Sequence, residues 1–384
     1  MHSRDNDRRQ FLVTASALAT LALLPAAVNA ATAASSPAPG WSGYRRAVVI
    51  DGLGSPGSID GLDGHALSAA DLLDIKTSGL TAVNVTVSGV GSYANDFENT
   101  IKNIAYWDAQ IAAYPNALMK IRTVADLTEA KRSARLGLIY GFQDATPFGE
   151  NLDRFEMFYN LGVRIILYTY NRRNLIGDGC LESGDAGLSQ LGRELVARMN
   201  DGGMLIDLAH SGRRTTLESI ELSKKPVAIT HAGCSAVVDL PRNKTDEALR
   251  KLADKGGVIG IYLMPYLRNS GQPMAEDVIL HIEHALKICG EDHVGIGTDG
   301  SIGAVNATPK YKDDLRAEIA DRKRRGISAP GERDDAFTFV PDLNTPQRFD
   351  TLATLLAKRG HKDARIEKIL GGNFARLFGE TWLA

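Results

Sequence analysis

The chain is poor in cysteine and in aromatic residues, and its charge is almost balanced. Among its 384 residues three are cysteine and 7% are aromatic, and the formal net charge is −2. So small a charge gives no general attraction to nucleic acid or to anionic membranes. The cysteines permit at most one disulfide even in an oxidising compartment, because they are three and widely spaced: Cys180, Cys234 and Cys289. The sequence also lacks a P-loop and a GxSxG nucleophile elbow, and we expect no GxGxxG at a strand-to-helix turn, which disfavours nucleotide and serine-hydrolase chemistry.

Low complexity is confined to the N-terminus, where the pattern predicts export. Arg8-Arg9 precedes an uncharged run over 11–28 and resembles a twin-arginine signal. Val28-Asn29-Ala30 provides the small residues that a signal peptidase requires. The run is short for a stable membrane span, so we predict cleavage rather than a permanent anchor. We therefore expect a signal peptide over 1–30, a linker over 31–44, and a periplasmic or secreted protein.

Eight short apolar runs follow the linker and alternate with segments of helical spacing. Near-continuous hydrophobic strands of this kind are typical of a parallel sheet that is buried on both faces. A strand followed by a helix, repeated eight times, predicts one α/β domain over 45–384, a (β/α)8 TIM barrel. The predicted strands lie at 47–51, 82–87, 137–142, 163–168, 204–208, 227–230, 258–263 and 294–297.

The repeat is followed by a long excursion over 301–345, which includes a strongly charged segment at 310–325. The charges indicate a solvent-exposed helix. Because the excursion follows the last strand, it could cover the barrel mouth as a lid. Two helices are predicted to close the chain, at 346–359 and 362–378.

Two of the predicted strands end on a histidine, His210 and His231. The carboxyl ends of barrel strands open onto the active-site mouth, and neutral imidazole is the commonest metal-binding side chain, so the pair predicts a metal site. Alternation along the fifth strand puts Asp207 on the opposite face from His210, so we expect Asp207 to be a buried structural carboxylate. Polar residues follow three other strands, and although one alone could cap a helix, together they favour a site: Gln143, Asn171 and Asp299.

Motifs around these residues resemble the membrane (renal) dipeptidase family of zinc peptidases, peptidase family M19. The resemblance implies a metallo-dependent hydrolase barrel whose mouth holds two zinc ions and hydrolyses dipeptides. It also implies a small dipeptide-like substrate and leaves a homodimer open as the assembly. The matching segments are 206–211, 230–232, 241–243, 293–299 and 371–378.

The resemblance assigns roles to several residues by position. His210 and His231 match the two metal-binding histidines of the family. Arg242 matches the arginine that pairs with the substrate carboxylate, a task suited to the fork of donors on a guanidinium. Asp299 matches the aspartate of the eighth strand, which handles protons near the scissile amide. Tyr170 and Asn171, at the end of the fourth strand, are expected to contact substrate.

Other positions depart from the family pattern. Leu53 and Ser55 stand where the family has the His-x-Asp motif that binds one zinc ion. Gln143 stands where a glutamate bridges both metals, and a neutral glutamine cannot bridge them as a carboxylate does. Tyr170 replaces a further histidine. Two zinc ions would therefore bring four positive charges to a mouth with one or two carboxylates, which is strongly unfavourable.

We therefore predict one zinc ion at most, held by His210, His231 and either Asp299 or Asp144, with a metal-free site as an alternative. Gln143 and Asp144 are expected to bind the metal or to line the site. The expected function is cleavage of a dipeptide or a related small amide. The alternative is a barrel that has lost hydrolysis and binds or matures a peptide-derived metabolite. Nucleic acid is not an expected partner.

Overall fold

Parallel strands pair in chain order around the protein, as the apolar runs predict. The computed structural model describes residues 40–57, 66–91 and 93–383, so the predicted signal and most of the predicted linker lie outside the described residues. The strands are β1 (Ile50–Asp51), β2 (Gly54–Ser55), β3 (Ala82–Thr86), β4 (Leu118–Lys120), β5 (Leu136–Phe142), β6 (Val163–Leu167), β7 (Leu205–Asp207), β8 (Ala228–Ala232), β9 (Val258–Ile261), β10 (Val294–Ile296) and β11 (Gly300–Ser301).

The main sheet confirms the predicted TIM barrel. Its strand order is β1-β3-β5-β6-β7-β8-β9-β10, and each neighbouring pair is parallel. All eight strands coincide with predicted apolar runs. The additional strand β4 pairs with β5 outside this path and was not predicted, because three residues are too few to show a periodicity.

The circle is nearly closed between its first and last strands. Gly52 donates its backbone N–H to the carbonyl of Ile296 over 2.9 Å, and Asp299 donates to that of Leu53 over 2.8 Å. Just beyond, β2 and β11 form a parallel pair of their own. This pair was missed from the sequence, since each strand has two residues.

A buried carboxylate, Asp51, joins the two ends of the sheet. Its Oδ1 accepts the backbone N–H groups of Thr298 at 2.7 Å and of Leu53 at 3.2 Å. Its Oδ2 accepts the hydroxyl of Thr298 at 2.6 Å. Burial raises the pKa of Asp51 to about 7, although these hydrogen bonds oppose the rise. One side chain therefore fixes the relative position of β1 and of the loop that carries Asp299.

Helices lie between successive strands and after the last one. Many begin at a hydroxyl side chain that accepts a hydrogen bond from the first turn, as at Ser68, Ser189 and Thr245. They are α1 (Ala69–Ser78), α2 (Asp96–Ala113), α3 (Val124–Ser133), α4 (Arg154–Leu161), α5 (Gln190–Gly202), α6 (Arg213–Leu222), α7 (Asp246–Asp254), α8 (Ala275–Cys289), α9 (Pro309–Arg324), α10 (Arg348–Lys358), α11 (Asp363–Glu367) and α12 (Asn373–Thr381).

The prediction of a single helix over 362–378 is wrong, because α11 and α12 are separate helices. A wide turn, Lys368–Gly372, lies between them. Gly371 in this turn packs on the backbone of the first strand, and a Cβ there would lie 2.6 Å from the carbonyl oxygen of Val48. The close approach requires glycine and breaks the helix.

The predicted linker over 31–44 also extends too far. Trp41 and Tyr44 are buried against the barrel, with 8% and 9% of their surface exposed. The indole Nε1–H of Trp41 donates to Asp363 Oδ1 over 2.8 Å, and the Tyr44 hydroxyl donates to the carbonyl of Ser78 over 2.7 Å. Two aromatic side chains therefore anchor this segment, which the small residues before it concealed.

The cysteines and the helices each answer a question left by the sequence. All three thiols are free. No helix among the described residues is long and apolar enough to cross a membrane.

His281 and His284 on α8 make packing contacts on the outside of the barrel: His281 accepts the backbone N–H of Cys234, and His284 pairs with Asp246.

The role of Asp51 can be tested with two substitutions. Asp51→Ala should lower the free energy of unfolding by about 3–5 kcal/mol, because it leaves two backbone N–H groups and one hydroxyl without their acceptor. Asp51→Asn should cost no more than about 1.5 kcal/mol, because an amide keeps the shape and can donate to the Thr298 hydroxyl. Urea denaturation measures both, and equal losses would contradict the assignment.

Candidate active site

A cavity of about 790 Å³ lies between the carboxyl ends of the strands and the segment that follows β11. We call residues 309–345 of this segment the lid; they comprise α9 and the loop after it. The lid contributes apolar residues to the roof, including Leu315, Ile319 and Phe339. The barrel contributes the polar floor: Gln143, Tyr170, His210, Arg242 and Asp299.

An ion pair within the lid makes two further contacts to the barrel. Arg322 of α9 donates to Glu332 over 2.6 Å, and the two side chains are only 19% and 9% exposed. Arg322 also donates to the hydroxyl of Tyr170 over 3.2 Å, while the Tyr266 hydroxyl donates to Glu332 over 3.0 Å. The lid is therefore bound to the barrel through polar contacts on both sides of the cavity.

The imidazole of His210 is held on all sides. Its ring stacks on Tyr170, with centroids 4.2 Å apart, and meets His231 edge-on at 5.0 Å. Nδ1 lies 2.7 Å from Asn171 Oδ1, and Nε2 accepts a hydrogen bond of 3.2 Å from the Arg242 guanidinium. Burial, with the charge of Arg242 second, holds the pKa of His210 well below its usual range. The ring is therefore neutral.

Asn171 lies behind His210 and is not among the residues that line the cavity, so its contact with substrate stays a prediction. It is 1% exposed and adopts a positive φ of 49°, a conformation that asparagine tolerates better than most residues. Its Nδ2 donates to the carbonyl of Ile327 in the lid over 3.0 Å. One amide group therefore contacts both the imidazole and the lid.

His231 belongs to a chain of buried hydrogen bonds that begins at Asp207. The Thr230 hydroxyl donates to Asp207 Oδ2 over 2.5 Å, so its oxygen is left to accept the Nδ1–H of His231 at 2.8 Å. Asp207 also accepts two backbone N–H groups, as expected of a structural carboxylate. The Nε2 of His231 is buried without a hydrogen-bond partner. Burial and Arg242 hold the pKa of His231 well below its usual range.

Arg242 is a buried cation beside both histidines. It is 1% exposed, and its guanidinium donates to the carbonyl of Ala209 over 2.6 Å and to His210. Neither hydrogen bond goes to a carboxylate. The rings of Tyr262 and Tyr266 lie 5.7 and 5.9 Å from its Cζ. The cavity thus holds a fixed positive charge with unused N–H donors.

Asp299 faces the same cavity from the other side. Its backbone is in the left-handed region, with φ of 58°, and the structure gives its carboxylate no hydrogen bond from any described residue. Burial raises the pKa of Asp299 to about 6, against the opposing charges of Arg242 and Arg322. The group is therefore an ionised base at neutral pH and is easily protonated below it.

The side chains of Gln143 and Asp144 lie on opposite sides of the strand end, because consecutive side chains point in opposite directions. Gln143 lines the cavity, and its Nε2 donates to Thr86 Oγ1 over 2.8 Å. The carboxylate of Asp144 instead accepts hydrogen bonds from Asn174 and from the backbone of Thr146, and Asp144 does not line the cavity. Its predicted place at the site is corrected to a structural one in the neighbouring loop.

The family model for membrane dipeptidases, peptidase family M19, matches residues 65–326. The chain belongs to this family. A solved structure of an amidohydrolase from Pseudomonas aeruginosa is 33% identical, with a TM-score of 0.75 over 88% of this chain and 98% of that one.

Curated relatives of the family include dipeptidases. The dipeptidase verJ of Clonostachys rogersoniana is 32% identical over 234 residues, which are 60% of this chain and 60% of that protein. The chain thus spans about three fifths of the length of this relative. A metallopeptidase of Rhodobacter sphaeroides, solved with a phosphinate mimic of L-Ala-D-Ala, has the same fold, with 21% identity, a TM-score of 0.70 and coverage of 88% of this chain and 99% of that one.

This is a family of metallopeptidases, yet the donors of this chain do not fit the family metal centre. No group of three or more His, Cys, Asp or Glu residues among the described residues is arranged to hold a metal ion. Of the two imidazoles, only His231 has a nitrogen lone pair without a partner. A catalytic zinc ion usually requires three protein ligands, so neither two ions nor the single predicted ion fits the side chains as they stand.

Several charged residues in or near the site were not singled out from the sequence, among them Arg322, Glu332 and Lys244. Arg322 and Glu332 fall in or near a charged segment, where a partly buried ion pair has the same local pattern as an exposed one. Lys244, two residues after Arg242, is buried and donates to the carbonyl of Ser211 over 2.7 Å. Burial lowers the pKa of Lys244 to about 7. Of these three residues, only Lys244 could have been found from the sequence, because it lies two residues after Arg242.

The double contact of Asn171 predicts that the lid depends on it. Asn171→Gly keeps the positive φ without strain but removes the side-chain hydrogen bonds, including the one to the lid. We expect amide hydrogen exchange over 326–333 to accelerate about fivefold, since one hydrogen bond is worth about 1 kcal/mol. Arg324→Ala, which removes an exposed ion pair on α9, is the control and should leave exchange unchanged. Unchanged exchange in Asn171→Gly would contradict this role.

Proposed function

We propose that this protein binds a small dipeptide-like molecule with a free carboxylate and hydrolyses its amide bond. The observation that carries the proposal is the buried guanidinium of Arg242, which lines the cavity and makes no hydrogen bond to a carboxylate of any described residue. A buried cation without an anionic partner is costly, and a ligand carboxylate would relieve that cost through charge-assisted hydrogen bonds. The membership in a dipeptidase family supports the same substrate class.

In this proposal Asp299 is the proton acceptor. Hydrolysis of an amide needs a base that takes a proton from the attacking water and an acid that returns one to the leaving amine. Asp299 is the floor carboxylate with no hydrogen bond of its own, and its raised pKa suits both transfers near neutral pH. No step uses a metal ion, because the donor set does not fit one.

The lid excludes solvent and sets the size of the ligand. A cavity of about 790 Å³ is within the range of small-molecule sites, and its apolar roof suits the aliphatic parts of a small peptide. The metallopeptidase of Rhodobacter sphaeroides was solved with a mimic of a dipeptide, which is in keeping with a ligand of that size.

The second candidate is a barrel that binds or matures a peptide-derived metabolite without hydrolysis. Leu53 and Gln143 favour it, because an apolar and a neutral side chain replace metal ligands of the family. Export by a twin-arginine signal and assembly as a homodimer stay proposals that rest on the sequence alone.

Binding through Arg242 has a specific signature. Arg242→Met should weaken binding of a dipeptide about 10- to 100-fold, since a hydrogen bond to a charged group is worth about 1.5–3 kcal/mol. The same substitution should leave the weak binding of the dipeptide C-terminal amide unchanged, because that ligand has no carboxylate. Isothermal titration calorimetry measures both ligands, with the exposed Arg250→Met as control. Equal losses for the two ligands would contradict the proposal.

Hydrolysis through Asp299 predicts a pH profile. Because the ionised carboxylate is the base, kcat/KM should rise with pH through an apparent pKa of about 6 and fall when the group is protonated below it. Asp299→Asn should lower kcat/KM about 10²- to 10⁴-fold with little change in ligand affinity. Asp313→Asn, on the exposed face of α9, is the control. Dipeptide binding without any turnover in the wild type would favour the second candidate.

A further inference from the structure

We propose that the guanidinium of Arg242 occupies the metal-binding position of His210, so that this site holds its ligand without a metal ion. The inference goes beyond the proposed function, because it does not depend on which small molecule enters the cavity. It rests on the hydrogen-bond geometry around His210, on the packing of Arg242 and on the remaining donors.

The protonation of His210 follows from its neighbours. The carbonyl of Ile327 accepts only from a donor, so the amide nitrogen of Asn171 faces Ile327 and its oxygen faces His210. An oxygen acceptor at 2.7 Å requires that Nδ1 of His210 carry the proton. Arg242 reaches the same result from the other side, since a guanidinium only donates and Nε2 must accept. The lone pair of Nε2 is therefore used by Arg242.

A metal ion and this guanidinium compete for one lone pair. Zinc binds an imidazole nitrogen at about 2.0–2.1 Å and would lie on the line along which Nη2 of Arg242 approaches Nε2. Arginine cannot give up its charge in compensation. A divalent cation would therefore have to displace Arg242 and remain close to its positive charge.

Displacement of Arg242 is opposed by its packing. The guanidinium donates to the carbonyl of Ala209, which directly precedes His210, and lies near the faces of Tyr262 and Tyr266. Moving it would leave the buried carbonyl without a donor. The short backbone contact of 2.6 Å and the 1% exposure of the side chain thus fix the position of the cation.

The other positions that hold metal in the family offer no replacement. Leu53 is apolar and buried, and the amide of Gln143 is oriented by its donation to Thr86. His231 alone presents a free nitrogen, and one imidazole does not hold a metal ion tightly. The same cation that excludes the metal has spare donors for an anionic ligand.

Zinc binding to the purified full chain tests the inference. After equilibrium dialysis against micromolar zinc, a His210→Ala/His231→Ala double variant defines the background. The wild type should bind fewer than about 0.1 zinc ions per chain more than this variant. Arg242→Met should gain at least about tenfold in zinc affinity over the wild type, since it frees Nε2 of His210 and removes the repelling charge. Adding His231→Ala to it should abolish the gain, and the exposed Arg250→Met should behave as wild type.

Two results would overturn the proposal. One is a wild type that binds a full equivalent of zinc lost in the double-histidine variant; the other is a folded Arg242→Met protein with no gain. If Arg242→Met does not fold, the ¹⁵N shifts of His210 in the wild type decide. The Nδ1–H tautomer, unchanged on addition of zinc, supports the inference, and a zinc-induced shift of Nε2 refutes it. Tm with and without EDTA should also be equal.

Discussion

The hydrogen bonds between Thr298 and Asp51 are the interaction on which the rest of the site depends. The eight strands form a closed surface only if the first and the last are held together, and there the ladder is carried by a few backbone hydrogen bonds and this one carboxylate. Because Asp299 directly follows Thr298, the contact that closes the barrel also sets the position of the proposed base. In this proposal the structural and chemical roles are divided between two aspartates, Asp51 and Asp299.

A second constraint connects the lid to the histidines. Asn171 uses one end of its amide on Ile327 and the other on His210, while Arg322 reaches from α9 to Tyr170, the ring on which His210 stacks. The lid is therefore more than a cover, because its contacts fix the orientation of a floor residue. This arrangement places a partly buried ion pair in a segment whose other charges are mostly exposed.

The sequence predicts the fold more completely than it predicts the site. Eight apolar runs were enough for the barrel, and the rule that barrel sites lie at the carboxyl ends of strands placed Gln143, His210 and Asp299 in one mouth. Alternation along the chain correctly placed Asp207 on the face away from the site, and the same rule applied after β5 would have placed Asp144 away from it as well. What sequence could not supply are contacts between side chains distant in the chain. The hydrogen bond from Arg242 to His210 depends on side-chain rotamers and packing. A sequence motif can therefore identify both residues as family matches without revealing that the guanidinium of Arg242 donates to Nε2 of His210.

The contacts of the lid have a kinetic consequence. Opening the lid over the described cavity would break its contacts to Tyr170, Asn171 and Tyr266, which would have to form again afterwards. Motions of this kind take place in microseconds to milliseconds and often limit turnover in enzymes with closing loops. Opening would also remove the lid partners of Asn171 and Tyr170, the two residues that contact His210 from the floor. The rate of opening would then depend on lid residues that are far in sequence from the floor.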